Sequence, residues 1–258
     1  MKYIAIIITF LISFAGNTQT LDSITFKIDG KEFKSYYALP TVVSKRTKTV
    51  LIVHEWWGLN DYPKQRALKI AQEGNIAFCI DMYGKGVIAD NPEDAQKLAT
   101  PFYKDPALAY KHFIAGYKQA IKINGVDTSK MAAIGYCFGG SMVLNAAKMG
   151  APVDLVVSFH GGLAGIPVEK DKLKASILVC HGKDDQFVSA EEVAQFKQEM
   201  DENAITYVFN EYQNATHAFT NPQSTSVGKK FGIPISYNEA ADIQSWEDFN
   251  RALRKMVY

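Results

Sequence analysis

The sequence predicts an α/β fold, a mostly parallel central sheet with helices on both faces, and three observations carry that expectation. Short runs of apolar and β-branched residues alternate with longer stretches of helical period along the whole chain. Such alternation is the mark of doubly buried strands linked by crossover helices. Of the 258 residues, 47% are hydrophobic, which suffices for one substantial core. Lysine plus arginine (28) nearly balances aspartate plus glutamate (27), and no basic run is long enough to suggest nucleic acid as a partner.

Taken in order, Met1-Lys2 is a short positive start, and Tyr3 to Phe14 is a nearly continuous apolar stretch. Small residues at Ser13-Phe14-Ala15 precede a polar segment, the pattern of a secretory signal over residues 1–19. The stretch is shorter than the ~20 residues of a spanning helix, and an uncleaved anchor is the alternative. A secreted or periplasmic protein is expected, with no stable membrane association after signal removal. Residues 20–258 then form a single domain. Ile24–Ile28 and Phe33–Ala38, joined at Asp29-Gly30, read as an antiparallel hairpin at the sheet edge. Strands are predicted at Thr49–His54, Ile76–Asp81, Met131–Gly135, Leu155–Phe159, Ile177–His181 and Ile205–Phe209. Helices are predicted over Ala67–Glu73, Pro92–Ile121, Ser141–Lys148, Ala190–Met200 and Ala240–Met256, the last with Trp246, Phe249, Leu253 and Met256 on one face. Two polar stretches, Gly84–Asn91 and Asn221–Asn238, are expected to rim a pocket.

The most informative segment is Gly135-Tyr136-Cys137-Phe138-Gly139-Gly140, between a strand and a helix. Gly135 and Gly139 flank Cys137 with the spacing of a nucleophile elbow. A side chain at the tip of so tight a turn sits in strained backbone, and neighbouring Cβ atoms would clash with it. The turn also aims a helix N-terminus at the sulfur, which favours a thiolate and any oxyanion formed there. Downstream, the strand at Ile177 runs into His181-Gly182-Lys183-Asp184-Asp185-Gln186-Phe187-Val188, which offers two acids. The strand at Ile205 is followed by Thr216-His217-Ala218-Phe219. Nucleophile, acid, histidine, each after a strand, is the α/β-hydrolase order.

These blocks, together with Val53-His54-Glu55-Trp56-Trp57-Gly58 and Asp81-Met82-Tyr83, resemble those of the dienelactone hydrolase family over nearly all of residues 25 to 255. The resemblance implies an α/β-hydrolase fold and a hydrolase of small esters or lactones. It makes Cys137 the nucleophile, His217 the base and Asp185 the acid that orients it, with Asp184 competing. Glu55 matches a glutamate that holds the resting cysteine. Backbone N–H groups of Phe138 and Trp56 would form the oxyanion hole. A free thiol has a pKa of about 8.5, so a neighbouring base is needed to supply the nucleophile near neutrality.

In the family, two arginines grip a substrate carboxylate. Lys85 and Asn221 stand at those places here, so the bidentate grip is lost. Substrate contacts are expected from Tyr83, Lys85, Asn221 and Trp57. His54 reads as structural, His160 as a pocket-lining candidate and His181 as a support of the acid loop. Cys79 and Cys180 lie in apolar strand segments and read as buried small hydrophobes. No metal-ligand spacing, Walker loop or dinucleotide fingerprint appears, so no metal and no cofactor are expected. The expected partner is a small-molecule ester or lactone, and the expected assembly a monomer or weak dimer. Two alternatives remain open: action on another acyl bond, such as a carbohydrate ester or thioester, and a catalytically silent binding protein.

Overall fold

A computed structural model describes residues 19–256. The expected signal segment falls almost entirely outside them. The first strands, β1 (Leu21–Ile28) and β2 (Lys31–Ala38), pair antiparallel through a two-residue turn. Asp29 and Gly30 both take positive φ there (49° and 81°), which matches the twist of the strands they join. The predicted edge hairpin is therefore present.

Then follow β3 (Thr49–Val53), α1 (Asp61–Gln72), β4 (Ile76–Ile80), α2 (Pro92–Lys104), α3 (Pro106–Ala120), β5 (Met131–Tyr136) and α4 (Phe138–Lys148). The rest comprises β6 (Leu155–Phe159), β7 (Ser176–Gly182), α5 (Ala190–Glu202), β8 (Tyr207–Tyr212), α6 (Ser224–Phe231) and α7 (Glu239–Lys255). Among the described residues the strands form one eight-stranded sheet in the order β1-β2-β4-β3-β5-β6-β7-β8. From β4 to β8 every pairing is parallel, and only the hairpin joins antiparallel.

Alternation along β3 distributes the core. Leu51 and Val53 pack with Phe78, Phe102, Phe113 and Met142 on one face, while Val50 and Ile52 pack with Ile70, Trp246 and Phe249 on the other. Helices α2 to α5 thus cover one face, and α1 and α7 the other. The strand order reverses between β3 and β5, because the chain moves outward to β4 before crossing back. In open α/β sheets a crevice forms at the carboxyl ends of the strands at such a switch point.

The single helix expected over Pro92–Ile121 is two. Asp105 breaks it in extended backbone (φ −127°, ψ 89°), and its side chain accepts the Leu108 N–H. Proline at 106 disfavours helical backbone in the residue before it while suiting the first helical position after it. The helix predicted from Ala67 begins six residues earlier, at Asp61, capped by Asn60. The stretch Asn221–Asn238 contains α6, and β8 lies two residues later than its apolar run suggested.

Candidate active site

Strand β5 delivers Cys137 to the crevice through a turn that only a small set of residues permits. A Cβ on Gly135 would lie 2.0 Å from the Gly139 carbonyl oxygen, and one on Gly139 would lie 2.2 Å from the Val53 carbonyl oxygen. Both glycines are therefore required for α4 to start so close to β3 and β5. Cys137 takes φ 54° and ψ −116°, a conformation that costs a non-glycine residue about 1–3 kcal/mol. Its N–H is held from behind by the Phe159 carbonyl (3.0 Å) and by His160 Nδ1 (3.1 Å).

His217 follows β8 and faces the same cavity as Cys137, close enough for the sulfur to act on its imidazole. Its Nδ1–H donates to Asp185 Oδ2 at 2.8 Å, which leaves Nε2 to face the sulfur. Asp185 Oδ1 accepts the Phe187 N–H at 2.8 Å, so both carboxylate oxygens are engaged. Asp185 is buried, whereas Asp184 is exposed. Burial alone would lower the His217 pKa. The adjacent Cys137 and the hydrogen bond donated to Asp185 outweigh it and hold the imidazole well above its ordinary value.

Glu55 lies just past the end of β3, only 2% exposed, and its Oε2 accepts Asn221 Nδ2–H at 2.8 Å. Burial pushes its pKa up to about 7, against the opposing pull of Asn221, His217 and Arg66. Asn221 thus serves Glu55 and does not line the cavity. His54 donates Nδ1–H to the Glu55 carbonyl (2.6 Å) and accepts the Met82 N–H at Nε2 (3.3 Å), fixing the loop as expected. The first N–H groups of α4, Phe138 among them, have no partner within the helix, and the Trp56 amide follows Glu55 at the same strand end.

A cavity of about 350 Å³ opens above these groups, in the range of small-molecule sites. Trp56, Trp57, Phe187, Ile233 and Ile235 form most of its apolar wall, with Tyr103 and Ala99 from α2. Glu192 of α5 also lines it, and Glu192 Oε1 accepts the Ala164 N–H (2.9 Å) and the Leu163 N–H (2.5 Å). That carboxylate therefore anchors the loop after β6 while facing the cavity.

Besides Asn221, two more of the four expected substrate contacts lie outside the cavity. Lys85 is exposed on the hairpin side of the molecule, bonded to Glu32 at 3.2 Å, with its N–H donating to the Glu32 carbonyl. Tyr83 is buried behind Phe138 and Phe102, where its ring packs and its hydroxyl has no partner. Trp57 does line the cavity. Of the two polar stretches, Asn221–Asn238 contributes Ile233 and Ile235, while Gly84–Asn91 only braces the Trp57 loop through Gly58, Ile88 and Ala89. His160 lies beneath Cys137 and outside the cavity wall, and His181 packs on Phe209 with Nδ1 unpartnered.

Sequence reasoning missed a buried chain behind Cys137. Because His160 Nδ1 accepts from Cys137, its Nε2–H donates to Thr220 Oγ1 at 2.7 Å. Thr220 bonds the Tyr62 hydroxyl (2.6 Å), Arg66 Nε donates to that hydroxyl (3.2 Å), and Arg66 pairs with Asp242 (2.6 Å). Burial first, then the charges of His217 and Arg66, hold the His160 pKa well below its ordinary value, as a neutral acceptor requires. No contiguous motif announces these partners, which come from α1, the loop after β8, and α7.

The dienelactone hydrolase family model matches residues 33–257. The chain belongs to that family. Its members are hydrolases of ester bonds on an α/β scaffold, and this chain shares that class. A protein of Aquifex aeolicus named as a carboxymethylenebutenolidase is 29% identical over 229 residues, covering 87% of this chain and 94% of its own length. One of Bradyrhizobium named as a 2-oxo-3-(5-oxofuran-2-ylidene)propanoate lactonase is 26% identical over 217 residues, covering 80% and 86%. Among solved structures, a dienelactone hydrolase-like promiscuous phosphotriesterase from metagenomic libraries superposes with a TM-score of 0.85 at 29% identity, covering 93% of this chain and 99% of its own. A dienelactone hydrolase-type structure from Klebsiella pneumoniae, at 19% identity and TM-score 0.77, shares the fold.

Proposed function

We propose that this hydrolase cleaves small esters or lactones through a Cys137–His217–Asp185 triad and an acyl-enzyme. The observation that carries the reading is the hydrogen bond of His217 to Asp185, with that imidazole beside a cysteine held at positive φ on the elbow. His217 takes the thiol proton as Cys137 Sγ attacks the carbonyl carbon. The oxyanion that forms is held by the Phe138 and Trp56 N–H groups, each such donor being worth about 3 kcal/mol. His217 then protonates the leaving alkoxide, and the C–O bond breaks. A water molecule, deprotonated by the same imidazole, hydrolyses the thioester and returns the proton to sulfur.

Glu55, with a pKa of about 7, exchanges a proton near neutrality. It lines the cavity beside Cys137 and acts as the alternative partner of the resting thiol. The substrate is a neutral or weakly polar acyl compound that fits about 350 Å³. The apolar run from Tyr3 to Phe14 supports export, with the signal removed before the protein acts in a secreted or periplasmic setting.

The test is p-nitrophenyl acetate hydrolysis by the mature protein, before and after iodoacetamide, beside Cys137→Ala and Cys137→Ser. Activity that vanishes on alkylation and in Cys137→Ala upholds the triad. Activity that persists in Cys137→Ala refutes it. N-terminal sequencing of the exported protein checks the signal, and an intact Met1 would overturn that part.

A further inference from the structure

The polar lining of the cavity comprises Glu55, Gln96, Cys137, Ser141, Glu192 and His217, and no lysine or arginine lines it among the described residues. Arg66, on the far side of Glu55, is buried and committed to Asp242, Tyr62 and the Thr220 carbonyl. Lys85 is held by Glu32 outside the cavity. The His217 imidazole is matched locally by Asp185. Glu192 therefore adds negative charge with no facing cation, and Glu55 adds more whenever it is ionised.

An anionic acyl or alcohol group entering this space would leave water, meet no counter-charge and approach like charge. Each effect opposes binding in a partly enclosed apolar site. Trp56, Trp57, Phe187, Ile233 and Ile235 instead offer area to an uncharged aliphatic or aromatic group. We infer that, on the reading of Cys137 as the reactive group, the substrates are uncharged apolar esters or lactones, and that Glu192 is the residue that excludes carboxylate-bearing ones.

The test compares p-nitrophenyl valerate with mono-p-nitrophenyl glutarate, two esters of similar length and the same leaving group that differ by one carboxylate. In wild type the neutral ester is expected to lead in kcat/KM by about tenfold or more, and Glu192→Gln, which keeps an acceptor for Leu163 and Ala164, is expected to narrow the ratio several-fold. Equal or greater kcat/KM for the glutarate, or an unchanged ratio in Glu192→Gln, overturns the inference.

If neither ester is turned over, the ester reading fails while the charge selection is still measured by alkylation of Cys137. Iodoacetamide and iodoacetate are compared by mass spectrometry of the Cys137 peptide, with each rate normalised to glutathione. A preference for iodoacetamide that narrows in Glu192→Gln upholds the selection. Iodoacetate reacting as fast or faster, or a preference that Glu192→Gln leaves unchanged, overturns it.

Discussion

The floor and the walls of the cavity are built by different rules. Glu55, Cys137, Asp185 and His217 each follow the end of a strand, β3, β5, β7 and β8. Parallel pairing fixes those strand ends to one another, as in the register of Val53 with Gly135. The walls come from α2, α5 and the loops around Trp57, Phe187 and Ile233, with no shared ladder between them. A floor set by the sheet is rigid and specifies the reaction. A wall set by loops and helices is adjustable and specifies the substrate.

The comparison breaks first at the floor. Cys137→Ala is expected to lower ester hydrolysis by about 10³-fold or more while leaving circular dichroism unchanged, since only one partly buried sulfur at the edge of the core is lost. Retention of most activity would mean that another group attacks. Asp185→Asn keeps the shape but disturbs the His217 tautomer, with an expected loss in kcat of about 10²–10⁴. Asp184→Asn, a change on an exposed residue one position away, is expected to cost less than about twofold by the same assay.

Glu55 gives a stability effect with a definite sign. Burial raises its pKa from 4.5 to about 7, so the folded protein holds that proton more tightly than the unfolded chain does. The stabilisation is complete below pH 4.5 and is lost as the pH rises through 7, a change of about 3 kcal/mol at most. Glu55→Gln is therefore expected to melt above wild type at pH 8 and together with it near pH 4, by thermal unfolding across that range. Equal Tm values at pH 8 would remove the buried carboxyl as a source of pH dependence.

Behind the floor, Thr220→Val leaves the His160 Nε2–H without its acceptor. A loss of about 1–3 kcal/mol in unfolding free energy is expected, with kcat falling several-fold and KM nearly constant. A change confined to KM would place Thr220 among the wall residues instead. The smallest effect is expected at the wall itself. Phe187 is exposed at the rim with its ring 4.9 Å from that of His217, placed to cover a bound acyl group. Phe187→Ala is expected to raise KM by roughly two- to fivefold with kcat little changed.

The same division decides what the sequence discloses. Elbow glycines, the acid after β7 and the histidine after β8 are local signals, because each candidate position is tied to the end of its own strand. Tyr62, Arg66, Thr220 and Asp242 carry no such signal, since α1 meets Thr220 and Asp242 across separations of 154 to 176 residues. Lys85 was legible as a position after Asp81-Met82-Tyr83 but not as a direction. Asp81 accepts the Tyr83 and Gly84 N–H groups and also the Lys34 N–H, and that ties the following turn to the hairpin instead of the crevice. Glu192 was hidden among the charges of α5, where only the packing of the loop after β6 separates it from its solvated neighbours.

The ion pair of Arg66 with Asp242 has a consequence for anyone handling this chain. Asp242 lies in α7, the final helix, and its partner guanidinium sits within electrostatic reach of Glu55. A truncation, tag or protease nick that loosened α7 would strand a buried cation beside the reaction floor and strip α1 of its counterweight. Loosening of α7 is thus expected to lower turnover. An apparently folded preparation that lacks activity should be weighed by mass spectrometry before its active-site residues are blamed.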